Sequence, residues 1–248
     1  MIELELKLRG YVTPEDFGGD VQTAIDKAEQ LDIRKVVLNG DYTCGTLILP
    51  GYTHLVLGGT LKADVHSRKG CGWCDEQDRY FLEGGKLDGN LYLYNTRRAV
   101  VQNMVITGNA TYEFSRDMRM EHCTVEGTLQ IGRGCANGIL QYLTVGSAAI
   151  SNQVFCGDIV LAKDPAIQNI VLRDTVLTDG SVCLVGSEDC GMMNIQVDHI
   201  TAPQTAVILG EKDAALPKER YFNLTFTDLA APQQFLQQND VKHMYLEL

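Results

Sequence analysis

Six segments of this chain carry one pattern. They are VVQNMVITG (100–108), MRMEHCTVEG (118–127), ILQYLTVG (139–146), IVLRDTVLT (170–178), IQVDHITA (195–202) and LTFTDLAA (224–231). Each runs apolar, polar, apolar, then two polar or turn residues, then a second short apolar run. The middle column holds Asn103, His122, Tyr142, Asp174, His199 and Asp228, so the successive spacings are 19, 20, 32, 25 and 29 residues. A repeat of 19 to 32 residues constrains a fold more than any composition does, because each unit must bury its apolar face against its neighbours.

A second short apolar segment follows each of these. They are YEFS (112–115), TLQIG (128–132), GDIVLA (157–162), SVCLVG (181–186), TAVILG (205–210) and QQFLQQ (233–238). Short alternating strands with no room for a crossover helix exclude a βαβ sheet, which needs ten or more residues per connection. They fit an all-β fold, a single-stranded parallel β-helix, in which equivalent strands pair about 4.8 Å apart along the axis. The middle column then reads as a ladder of polar side chains at a corner of each coil, where Asn and Asp tolerate the left-handed conformation.

Raw edges at the ends of such a stack invite aggregation and call for caps. TPEDFGGDVQTAIDKAEQL (13–31) places Val21, Ala24, Ile25, Ala28 and Leu31 on one helical face, with Asp20 as N-cap. It predicts a short capping helix. Residues 232–248 are expected to close the other end, making 1–248 one domain. The formal charge of −11, from 32 acidic and 21 basic residues, argues against nucleic acid and anionic membranes as partners. No apolar run approaches a signal peptide or a membrane span. Reduced thiols and a cytoplasmic location are therefore expected for a chain with eight cysteines. Only Cys71 and Cys74 have metal or redox spacing, and no second pair completes a zinc set, so neither metal nor cofactor is expected.

The stretch DFGGDVQTAIDKAEQ, then VVLNGDYTCGTLILPGYTHLVLGGTLKAD (36–64), then FLEGGKLDGN (81–90), resembles the N-terminal part of glycoside hydrolase family 28, the polygalacturonase-like enzymes of the pectin lyase-like group. NATYEFSRDMRMEHCTVEG (109–127) resembles the coil that precedes that family's catalytic rungs. The resemblance implies a right-handed β-helix that binds an oligosaccharide or polysaccharide of pectin type and hydrolyses it with inversion. It also implies an aspartate in N-T-D, a D-D pair one coil on, a G-H-G histidine and an R-x-K. Here EGTLQIG (126–132) stands where N-T-D is expected. The D-D rung is either GSAAIS (146–151), without an aspartate, or CGDIVLAK (156–163), with Asp158 alone. G-H-G is absent.

Inverting hydrolysis needs a carboxylic acid and a carboxylate about 6.5–9.5 Å apart. Asp158 and Asp179, 21 residues apart, are the expected catalytic pair; Glu188 and Asp189 are a weaker second choice. Lys163, Arg133 and Gln130 are the expected substrate-binding residues, and Arg116 and Arg119 join Arg133 on consecutive coils where an anionic sugar would meet them. Asp88, held by Gly84, Gly85 and Gly89, reads as a corner residue rather than a catalytic acid. Two functions stay open: a polygalacturonase-like hydrolase, and a non-catalytic binding or assembly module that has lost the aspartates. A β-helix lyase would need calcium carboxylates beside a basic residue. Arg173 next to Asp174 is too little for that.

Overall fold

Strict alternation of apolar and polar residues sends every second side chain of a strand to the same face. In the computed structural model, which describes residues 2–68, 77–151, 166–186, 191–210 and 221–237, that rule builds one 19-stranded sheet whose pairings are all parallel, plus a two-stranded pairing of Gln77–Asp78 with Thr96–Arg97. The strands run in strips, each strand pairing with its equivalent in the repeat before and after. Along one strip Leu82 stands on Val101, then Met120, Leu140, Leu172, Val197 and Phe226. All seven are buried in the core. Burying each contributes about 1.5–3 kcal/mol over leaving it in water. The registers reproduce the spacings of 19, 20, 32, 25 and 29 residues read from the repeat.

A second strip stacks Leu93, Tyr112, Ile131, Ile150, Leu184 and Leu209. Here one assignment changes. The strand that continues ILQYLTVG is 147–151, at the end of Ala136–Ser151; it pairs with Thr128–Ile131 on one side and Val182–Val185 on the other. Residues 157–162, expected to fill that place, lie outside the described residues. The inner side of this strand is filled by Ala148 and Ile150, while Ala149 faces outward, so GSAAIS carries little apolar signal.

Left-handed backbone marks two corners of the repeat. One runs through Asn103, His122, Tyr142, Asp174, His199 and Asp228, all with φ between 48° and 56°. This is the middle column of the sequence repeat. The other runs through Arg79, Arg98, Asp117, Asn137, Asn169, Asn194 and Asn223, with φ between 53° and 57°. Along it each Asn Nδ2 donates to the residue before: Asn137 to Asp117 at 3.0 Å, Asn169 to Asn137 at 3.0 Å, Asn194 to Asn169 at 2.9 Å and Asn223 to Asn194 at 3.0 Å.

Two helices sit at the N-terminal end: α1 (Ile2–Arg9) and α2 (Val21–Gln30), joined through a single 3₁₀ turn, Pro14–Phe17. In α2, Asp20 caps the helix by accepting from the Thr23 backbone N–H at 2.6 Å, and Val21, Ala24, Ile25 and Ala28 are buried. Gln22 covers the outer edge of strand Tyr42–Leu49, its amide accepting from Ile48 N–H at 2.8 Å and donating to Ile48 C=O at 3.0 Å. A side-chain amide thereby occupies the place of another strand. Helix α1 departs from its sequence, where strict apolar and charged alternation suits a strand. Of the expected C-terminal cap, Gln233–Gln237 pairs with Thr205–Leu209, and residues 238–248 lie outside the described residues. Among the described residues no helix is long and apolar enough to cross a membrane.

Asp88 ends strand Lys86–Asp88 and accepts from Thr107 Oγ1 at 3.0 Å. Gly89 beside it leaves no room for a side chain: an added Cβ would lie 2.0 Å from the Ala63 carbonyl oxygen. Asp88 therefore belongs to the packing of successive repeats.

Candidate functional site

The residues that flank the Leu82-to-Phe226 column point away from the core. On one side of it the register stacks Glu83, Gln102, Glu121, Gln141, Arg173, Asp198 and Thr227. At about 4.8 Å per rung this polar ladder spans about 29 Å. Its members bond one another. Gln102 Nε2 donates to Glu83 at 3.1 Å, Gln141 donates to Glu121, Arg173 Nε donates to Gln141 Oε1 at 2.7 Å, and Thr227 donates to Asp198. His54 Nε2 lies 2.8 Å from Glu83 and Arg119 lies 2.7 Å from Glu121.

Those contacts set the charge state of the face. Partial burial acts to raise the Glu83 and Glu121 carboxyls, but hydrogen bonds from His54 and Gln102 to the first, and from Arg119 and Gln141 to the second, outweigh it. Both carboxyls end below their ordinary value. A general acid at neutral pH needs the opposite displacement. These carboxylates accept hydrogen bonds from His54, Gln102, Arg119 and Gln141.

One residue further along every rung lies the left-handed corner of Asn103 to Asp228, and there the side chains diversify. The His122 and Tyr142 rings stack with centroids 4.9 Å apart and planes within 8°. Tyr142 keeps 49% of its surface exposed. Tyr142 holds a φ of 56° and His122 one of 52°, the left-handed conformation shared by the whole corner. Further along, His199 Nδ1 lies 3.9 Å from both Asp174 and Asp198, and Nε2 lies 3.6 Å from Asp228. Asp198, His199 and Asp228 bring three ligand-type atoms within 4.8 Å of one another. Both imidazole nitrogens face carboxylates, so the ring stands between Asp174, Asp198 and Asp228.

The expected site residues are not brought together. Asp158 and Lys163, with the second choice of Glu188 and Asp189, lie outside the described residues, as do Cys71 and Cys74. Asp179 is exposed in the turn after strand Ile167–Leu177, with Thr178 Oγ1 at 3.5 Å. Gln130 is half-buried and accepts from Thr111 Oγ1 at 2.7 Å. Arg133 is buried against fully buried Glu113, Nε to Oε1 at 3.3 Å, with its guanidinium 5.1 Å from the Phe114 ring centre. Arg119, expected on a neighbouring coil, is bonded to Glu121, and Arg116 is half-buried. Thr128 and Ser147, in EGTLQIG and GSAAIS, pair in register, with their hydroxyls 2.9 Å apart. The rung directly after EGTLQIG is thus GSAAIS, without a carboxylate.

The sequence reading passed over the polar ladder. Its signal was in the aligned repeats: the column just before the corner residue reads Gln, Glu, Gln, Arg, Asp, Thr without an apolar exception. A groove of about 360 Å³ lies between the start of α2 and strand Tyr42–Leu49, lined by Asp20, Gln22, Asp41 and Cys44 among others. Both of its carboxylates are engaged: Asp20 caps the helix and Asp41 accepts from Thr60 N–H at 2.6 Å. The chain matches no protein-family model, no curated protein and no solved structure.

Proposed function

We propose that this chain is a right-handed parallel β-helix of the pectin lyase-like kind that binds an oligosaccharide along its exterior polar ladder without hydrolysing it. The observation that carries the reading is the 29 Å scale ladder from Glu83 to Thr227 beside the exposed His122 and Tyr142 stack. Planar amide, carboxylate and guanidinium groups match the vicinal hydroxyls of a sugar, which both donate and accept. The rung repeat is close to the length of one pyranose residue, so successive rungs can meet successive sugars. An exposed aromatic face stacks on the apolar face of a sugar ring.

The non-catalytic choice rests on two features. Hydroxyls of Thr128 and Ser147 and the methyl groups of GSAAIS occupy rungs where the family resemblance calls for aspartates. The displaced carboxyls of the ladder, Glu83 and Glu121, are displaced downward, away from acid catalysis. The ligand is a neutral sugar rather than a uronate. Glu83, Glu121, Asp174, Asp198 and Asp228 face it against Arg119 and Arg173, both already bonded within the protein.

Calorimetric titration with neutral oligosaccharides and with oligogalacturonides, alongside a reducing-sugar assay, tests this. Neutral sugars should bind, and Gln102→Ala should weaken binding about tenfold, the loss of one or two hydrogen bonds. No saccharide should be turned over. Turnover that a single change at Asp158 or Asp179 abolishes would restore the hydrolase reading, and absence of saccharide binding would remove both.

A further inference from the structure

Helix α1 is apolar on two opposite sides. Leu6 is buried at 4% exposure against the core, while Leu4 and Leu8, one turn apart on the other side, are 64% and 80% exposed. A helix with apolar residues on opposite faces is one that expects cover on both. Its charges are ordered along its length, Glu3 and Glu5 in the first turn and Lys7 and Arg9 in the last.

We propose that the Leu4 and Leu8 face is an isologous interface at which α1 packs antiparallel against α1 of a second copy of this chain. The ordering of charge selects both the occupant and the direction. With Leu4 of one copy against Leu8 of the other across a two-fold axis, Glu3 comes level with Arg9 of the partner subunit and Glu5 level with the partner's Lys7. A parallel pairing instead gathers the acidic ends together and the basic ends together. The macrodipoles also oppose one another only in the antiparallel arrangement. Within one chain Lys7 Nζ bonds Glu3 at 2.8 Å, with both side chains at least half exposed, and such a surface pair exchanges partners at little cost. The contact is small, so it belongs to the weak, reversible class of interfaces. It is independent of the sugar-binding reading.

Sedimentation velocity over about a hundredfold range of concentration, spanning the micromolar affinities of weak interfaces, tests it on the full chain. The native protein should pass from monomer to dimer as concentration rises. Leu4→Glu/Leu8→Glu, at exposed positions that leave the fold intact by circular dichroism, should weaken association about tenfold or more, placing four like charges in the contact. Glu3→Lys/Glu5→Lys and Lys7→Glu should each associate less than the native chain, and their mixture should associate more than either alone. A protein that stays monomeric throughout, or leucine variants that associate as the native chain does, would overturn the proposal.

Discussion

The two left-handed corners make the same demand on the backbone and meet it with different chemistry. One corner runs through Tyr52, Arg79 and Arg98 and then only Asp and Asn, from Asp117 to Asn223, and the amides of Asn137, Asn169 and Asn194 both donate and accept along the axis. At Asn103, His122, Tyr142, Asp174, His199 and Asp228 the φ angles are the same within a few degrees, yet the side chains are a mixture of amide, imidazole, phenol and carboxylate. Asn is the least strained L residue in this conformation, so uniform Asn is what stability alone selects. The corner that carries Tyr142 and two histidines holds bulkier side chains in the same conformation, and Tyr142 keeps its ring exposed. The first corner is a fastening and the second is a surface.

The largest test of that contrast is to break the fastening. Asn169→Ala removes one donor and one acceptor from the amide ladder and leaves an alanine in the left-handed region, where it costs about 1–2 kcal/mol, with roughly another 1 kcal/mol for the lost bonds. Urea unfolding should show a loss of about 2–3 kcal/mol. A loss under about 0.5 kcal/mol would mean that the ladder fastens nothing.

Making the second corner resemble the first should have the converse outcome. In Tyr142→Asn the relief of backbone strain and the loss of the His122 stack, each about 1 kcal/mol, nearly cancel, leaving stability within about 1 kcal/mol of the native protein. Saccharide binding should nevertheless fall about tenfold, the worth of one aromatic contact. A variant that binds as well as the native chain would show that Tyr142 presents nothing to the ligand.

The smallest effect distinguishes the two corners by pH. Glu83 and Glu121, in the ladder beside the second corner, have folded pKa values below the ordinary 4.5. Their contribution is therefore present above the unfolded value and is lost as pH falls through the lower folded values. Below about pH 4 the protection of backbone amides from hydrogen exchange should drop first along Phe81–Glu83 and Arg119–Glu121, by under about 1 kcal/mol. Glu83→Gln/Glu121→Gln should flatten that limb. Equal acid sensitivity at Asn169 and Asn194 would erase the distinction.

Much of the fold was legible because a repeat states its own register. The spacing of Asn103, His122, Tyr142, Asp174, His199 and Asp228 is the spacing of the paired strands, and the reading of that column as a polar corner ladder holds. Asp20 as N-cap and the apolar face of α2 were equally plain, since capping and helical periodicity are local. The strand 147–151 was missed because its alanines and serines carry little hydrophobic signal. Helix α1 was hidden by a period-two pattern that its surroundings override, a local preference of about 1 kcal/mol or less per residue yielding to tertiary contact.

The site was less legible than the fold. Arg133 looked like an anion-binding side chain, and its burial against Glu113 is a contact between residues 20 positions apart that no local pattern announces. Gln130 similarly reaches Thr111, 19 residues back. By itself the sequence determined the repeat, the inward faces and the left-handed corners, because these follow from residue type and spacing along one chain. The tertiary structure alone decided which polar side chains become neighbours, which carboxyls are held ionised, and which arginines are already committed. Those outcomes depend on distances across rungs, and the third dimension sets them.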